Sequence, residues 1–193
     1  GFSVSVVGTS CVPSVGSANW TGGLLTTRHL IEPGHRRIAA LTGPEDMMCS
    51  LARIDGYRSA MSSAGLPINP EWVRFGDFHV SGGHDHATEL LGLDDPPTAI
   101  FAGSDLQALG ALDAIRARGL RVPEDISVVG YDDIPLARWL SPRLTTVHQP
   151  LQRMGAEATR LIIGWGERPS ESTPRMDLAT TLVVRESTAS PTA

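Results

Sequence analysis

Four apolar runs in this chain end in a glycine followed closely by a polar or aromatic residue. They lead into Thr42-Gly43-Pro44-Glu45-Asp46, Gly76-Asp77-Phe78, Gly103-Ser104-Asp105 and Gly130-Tyr131-Asp132-Asp133. Glycine lets the backbone turn sharply where a strand ends. In an open parallel sheet, ligands bind outside the carboxyl ends of the strands, so the residues after these glycines face a common crevice. The groups gathered there are the carboxylates of Asp77, Asp105, Asp132 and Asp133, the Ser104 hydroxyl and the Phe78 ring, with Arg53 reaching them from the start of a helix. Carboxylate and guanidinium groups bind hydroxyl pairs in bidentate fashion, and an apolar ring stacks on a C–H face. This mixture suits a neutral polyol. The sequence has neither G-x-G-x-x-G nor G-x-x-x-x-G-K-[ST], so it offers no phosphate cradle and disfavours a nucleotide.

Each of these residues also has a plainer reading. Asp105 directly precedes the clearest helix and reads as its N-cap. Asp133 precedes Ile134-Pro135 at another helix start and reads the same way. Asp132 is open between the two roles. Ser104 alone would be a turn serine, Arg53 a surface charge and Phe78 a core residue. Catalytic readings have less support. The imidazoles of His84-Asp85-His86 point apart on a helix, and a metal would need a third ligand that the spacing does not supply. There is no G-x-S-x-G elbow. Cys49 has no partnering histidine placed by sequence. Cys11 and Cys49 read as small hydrophobes rather than a disulfide. No catalytic residue, metal or cofactor is expected.

The elements that would position the crevice follow from periodicity. Val4–Val7, Ile38–Leu41, Trp72–Phe75, Thr98–Ala102, Ile126–Val129, Leu144–Val147 and Thr180–Val184 read as strands. Helices are predicted over 24–31, 50–64, 84–91, 105–118 and 151–163. Residues 167–175 read as a Pro/Ser-rich loop, and Ser187–Ala193 as a frayed tail. Strands alternating with helices imply βαβ units and a doubly wound parallel α/β sheet. The 193 residues are 41% hydrophobic and 19% charged, which suits one or two such units. A net charge of −5 and pI near 5.6 argue against a dedicated nucleic-acid surface. The densest basic run, His35-Arg36-Arg37, reads as a solvated turn. No apolar run is long enough for a membrane span, and a cytoplasmic location is expected.

Longer stretches carry a resemblance. Val12-Pro13-Ser14-Val15-Gly16 is followed by Asn19 and Gly22-Gly23, then by His29-Leu30-Ile31-Glu32-Pro33-Gly34-His35-Arg36-Arg37-Ile38-Ala39. Arg53-Ile54-Asp55-Gly56-Tyr57-Arg58 and Pro97-Thr98-Ala99-Ile100-Phe101-Ala102 come next. The densest part runs from Val122-Pro123-Glu124-Asp125-Ile126 through Gly130-Tyr131-Asp132-Asp133 to Leu144-Thr145-Thr146-Val147, and Leu182-Val183-Val184-Arg185-Glu186-Ser187 closes it. Together these resemble the lactose-repressor (LacI/GalR) family of transcriptional regulators over nearly the whole chain. The resemblance implies a periplasmic-binding-protein-like fold in which two α/β subdomains close on a small effector, usually a sugar or a purine. It implies that Arg53 and Asp132 bind the effector and that Phe78 stacks on it. Ser104 stands where many members have asparagine, and Met47 and Cys49 fall where members place pocket-lining residues of varied type. Ala18 replaces a common aspartate beside Asn19, and Pro33 an apolar residue at a helix end.

The same resemblance implies a division of the chain. Residues 1–22 and 148–177 correspond to pieces of an N-terminal subdomain, and 23–147 and 178–193 to a nearly complete C-terminal one. The family's helix-turn-helix head and hinge helix are not found in the sequence, so the chain reads as a piece of a longer protein. Apolar surface would then be left uncovered. DNA would be bound only through a head outside this chain. A homodimer is implied, with the helix from Asp105 and the Trp139-Leu140-Ser141-Pro142 segment in its interface. The alternative is a periplasmic-type sugar-binding protein of a transport system; a small enzyme on the same kind of sheet is a third reading.

Overall fold

The computed structural model describes residues 14–167 and 175–192. The strand predicted at Val4–Val7, Cys11 and most of the 167–175 loop lie outside the described residues. The elements run β1 (Ser14–Ser17), α1 (Asn19–Ile31), β2 (Ile38–Thr42), α2 (Met48–Ser63), β3 (Val73–Phe75), α3 (Val80–Leu90), β4 (Ala99–Ala102), α4 (Asp105–Ala117), β5 (Ser127–Asp132), β6 (Thr145–His148), α5 (Leu151–Glu167), β7 (Arg175–Leu178) and β8 (Thr181–Val183). Short 3₁₀ turns occupy Pro70–Trp72 and Pro135–Arg138.

The main sheet has six strands in the order β3-β2-β4-β5-β6-β8. All neighbours are parallel except β8, which pairs antiparallel with β6. Alternate side chains feed two cores. Ala39, Leu41, Ile100, Ala102 and Val128 pack towards Ala87, Leu90, Leu112 and Ile115 of α3 and α4. Ile38, Ala40, Phe101, Val129 and Tyr131 pack towards Leu30, Ile54, Tyr57 and Met61 of α1 and α2. Burying each large aliphatic side chain in these cores stabilises the fold by roughly 1.5–3 kcal/mol. The Tyr57 hydroxyl donates to the Ile38 carbonyl at 2.8 Å, so its polar end is satisfied in the core.

Glycine sets how closely the helices approach. A Cβ at Gly23 would meet the Arg53 carbonyl, and one at Gly56 the Trp20 carbonyl. Bare glycine therefore brings α1 onto α2 backbone to backbone. This contact fixes where Arg53 leaves α2.

The order of strands reverses between β2 and β4: the chain moves outward to β3, then returns past β2 to β4. The loops after these two strands diverge and open a crevice at the sheet's carboxyl edge. A second, two-stranded parallel sheet pairs β1 with β7 and packs on α5. The chain crosses between the two units three times: at 17–19, at 148–151 and at 178–181. The expected boundary at residue 22 falls inside α1. The small unit leaves Leu151, Ile162, Ile163 and Met176 in solvent. None of the described helices is long and apolar enough to cross a membrane.

Three local expectations are corrected. The tail is not frayed. Ser187 is fully buried, its Oγ donating to the Val128 carbonyl at 2.6 Å and accepting from the Thr145 amide at 2.8 Å. The Ala189 amide donates to Ser127 Oγ at 3.0 Å. His35 is not in a solvated turn. It is buried between Thr98 (2.9 Å), Ser127 (3.1 Å) and the Ala189 carbonyl (2.9 Å), while Arg36 and Arg37 are exposed. Residues 175–178 form a strand, where a loop was expected to extend to residue 175.

Candidate functional site

Arg53 lies in the second turn of α2 and is nearly buried, at 6% exposure. Its Nε donates to Asn19 Oδ1 at 2.9 Å, and its Nη1 donates to the Gly103 carbonyl. The guanidinium lies 3.8 Å from the centre of the Tyr131 ring and 5.4 Å from that of Phe78. A planar cation against an aromatic face is stabilised by the ring quadrupole. Arg53 is thus held in place before any ligand arrives. The surface-charge reading does not apply.

Asp132 ends β5 with φ +116, an uncommon conformation for a non-glycine residue. One of its carboxylate oxygens accepts from Gln149 Nε2 at 2.6 Å. Burial pushes its pKa up, while the positive charge of Arg53 and the Gln149 bond pull it down. Phe78 follows β3 with φ +62, and its ring lies against Gly43, where a Cβ would overlap it. Ser104 caps α4: its Oγ accepts from the Gln107 amide at 3.0 Å and donates to the Phe78 carbonyl, also at 3.0 Å.

These residues converge on one cleft of about 300 Å³ at the switch point, lined by Cys49, Arg53, Phe78, His79, Ser104, Leu106 and Asp132. Of the six residues that the family resemblance assigns to the effector pocket, Arg53, Asp132, Phe78, Ser104 and Cys49 share it. Met47 does not line it: it sits at the N-cap of α2 and is 39% exposed. Sequence reasoning missed His79 and Leu106. Each comes one or two positions after a named strand-end residue, which was the available signal. Tyr131, Asn19 and Gln149 hold Arg53 and Asp132 from behind; Tyr131 and Asn19 lie in the motifs above without this role being readable from them, and Gln149 carried no signal of its own.

The remaining carboxylates have other roles. Asp77 Oδ1 accepts from the His79 amide at 2.9 Å and shapes that loop. Asp105 is not the N-cap, a role taken by Ser104. It is buried and accepts from the Ile134 amide at 2.8 Å and from Thr146 Oγ1. Asp133 is not a cap either: the 3₁₀ turn after it has no side-chain cap, and Asp133 pairs with Arg185 and, at 3.1 Å, with His148. His84 lies 3.3 Å from Asp85 and 3.8 Å from Asp113, and His86 lies 3.8 Å from Glu89. Among the described residues no group of three or more possible ligands could hold a metal.

A mostly parallel α/β sheet with a cleft at its switch point defines a class, and comparison with known proteins gives the same one. Residues 27–188 match the periplasmic binding protein-like domain. The chain belongs to that family, in the form found in LacI-type transcriptional regulators. It is 44% identical over 169 residues to the HTH-type transcriptional regulator CelR of Thermobifida fusca, covering 88% of this chain and 50% of that one. It is 41% identical over 169 residues to the HTH-type transcriptional repressor PurR of Pasteurella multocida, covering 88% of this chain and 51% of that one. A solved structure of a CelR–cellobiose complex superposes with a TM-score of 0.89 at 42% identity, over 94% of this chain and 55% of that one. The chain spans about half the length of the curated relatives it matches.

Proposed function

We propose that this chain is the effector-binding and dimerising part of a LacI-type regulator, and that its cleft takes a sugar. The observation that carries this is the fixed Arg53 facing Asp132 across a cleft with the Phe78 ring on its wall. A preorganised donor fork, a carboxylate acceptor and an apolar ring match the hydroxyl edge and the C–H face of a sugar. The relative solved with cellobiose supports the same chemical class. The chain itself performs no catalysis in this reading and acts as a homodimer in the cytoplasm. Ligand affinity that differs between open and closed arrangements of the two units would shift the operator affinity of attached DNA-binding heads. The relatives named are regulators of transcription, which favours this reading over a transport binding protein.

Isothermal titration with a panel of mono- and disaccharides tests the site. Arg53→Ala and Asp132→Ala should each weaken binding by about a hundredfold or more, because each leaves a buried partner unpaired. Wild-type affinity in both variants would refute the site assignment. Sedimentation velocity on the same samples reports the dimer, whose interface would include α4 and Trp139, 84% exposed in the isolated chain.

A further inference from the structure

Ser104 differs from Arg53 and Asp132 because its only donor hydrogen is already committed within the protein. It is 4% exposed. Its single proton goes to the Phe78 carbonyl, and one of its lone pairs receives the Gln107 amide. No donor is left for a ligand. The bond to Phe78 joins the β4–α4 turn to the β3–α3 loop, 26 residues away in sequence.

Phe78 needs such a tie. A bulky residue at φ +62 occupies a sparsely populated region and returns to extended backbone unless its surroundings hold it. The ring is seated against Gly43, so a change in the Phe78 backbone would swing it off that seat and out of the cleft wall. The Ser104 bond pins the carbonyl of that same strained residue.

We infer that Ser104 is a positioning residue: it acts on the ligand through the Phe78 ring and does not bind the ligand itself. Its position in the cleft wall therefore sets how the ring presents its face, while hydroxyl recognition from this unit falls to Arg53 and Asp132. The binding arm of the test rests on the sugar reading above; the spectroscopic arm does not.

The first measurement is the NMR spectrum of the ligand-free protein with ¹³C-labelled phenylalanine, the Phe78 ring signals being assigned with Phe78→Leu. Ser104→Ala should shift and broaden those signals, and Ser104→Thr, which keeps the hydroxyl, should restore them. If Ser104→Ala does not fold, Ser104→Asp serves, because its carboxylate still caps α4 but cannot donate to the Phe78 carbonyl. Unchanged ring signals in the folded variant would overturn the inference. The second measurement is titration with cellobiose. Ser104→Ala should weaken binding by about tenfold, Ser104→Thr by less than about threefold, and Ser104→Ala should add nothing in a Phe78→Ala background. A full additional loss in that background would mean that Ser104 touches the sugar directly. If the wild type does not bind cellobiose, the sugar assignment is weakened, and the ring spectrum still decides the role of Ser104.

Discussion

Asp105 shows how far a single residue's role can lie from its local sequence. A residue just ahead of a helical pattern reads as a cap, and capping is a rule about the next three positions. The partners of Asp105 are instead Ile134 and Thr146, 29 and 41 residues away. Burial pushes its pKa up from 3.8 to about 7, against the pull of both hydrogen bonds, and the nearby charges of Asp132 and Asp133 add to the rise. The folded state therefore favours the protonated carboxyl. Its contribution to stability is complete below about pH 4 and is lost as pH climbs through about 7. Thermal melts from about pH 4 to 8 should show stability falling by an amount on the order of a few kcal/mol. Asp105→Asn removes the charge, with its amide oxygen accepting from the Ile134 amide and its NH2 donating to Thr146 Oγ1, and should flatten most of that slope. A remnant of the slope persists in the variant, since the raised pKa of Asp132 acts in the same direction. The cleft-lining Phe78, Ser104 and Asp132 were legible in the sequence, because each follows a strand-end glycine by one or two positions. The pairing of Asp133 with Arg185, 52 residues on, was not, because it depends on the finished sheet.

At the scale of elements, periodicity served where an element buries a face. Strands β2, β4 and β5 are almost wholly buried, and their apolar runs are unbroken. Strand β7 buries only Leu178, so nothing in its residues distinguishes it from a loop. The tail fails as a prediction for a related reason: serine, threonine and alanine after Glu186 look like solvent-exposed chain, yet they meet polar groups at the amino ends of β5 and β6. Ser187→Ala would leave the Thr145 amide and the Val128 carbonyl short of a partner inside the core. It should destabilise the fold by roughly 1–3 kcal/mol. Urea unfolding measures this, and a change below about 0.5 kcal/mol would show that the tail contributes little.

At the scale of the whole molecule, the cleft is wired to the crossings between the two units. Asp132 accepts from Gln149 on the second crossing, and Ser17 on the first donates to Gln149 Oε1 at 2.6 Å. Arg53 is bonded to Asn19 at the start of α1. The third crossing joins the first where the Ala18 amide donates to the Leu178 carbonyl at 2.9 Å. In the sugar-binding reading proposed above, a ligand that competes for Asp132 or Arg53 would act directly on these crossings. Gln149→Ala should speed amide hydrogen exchange at Ala18 and in β1 and β7, while leaving β4 and β5 as slow as before. Equal exchange at Ala18 in variant and wild type would show that the clasp does not restrain the crossings.

The pairing of β1 with β7 also orders events in time. Ser14 lies opposite Arg175, with almost the whole main sheet between them in sequence. A contact of such separation pays its loop-closure entropy early unless intervening structure has already brought its ends together. The six-stranded sheet supplies that structure, since its completion at β8 sets β1 and β7 side by side. Among the described residues, the small sheet is then expected to assemble after the main sheet and to open before it.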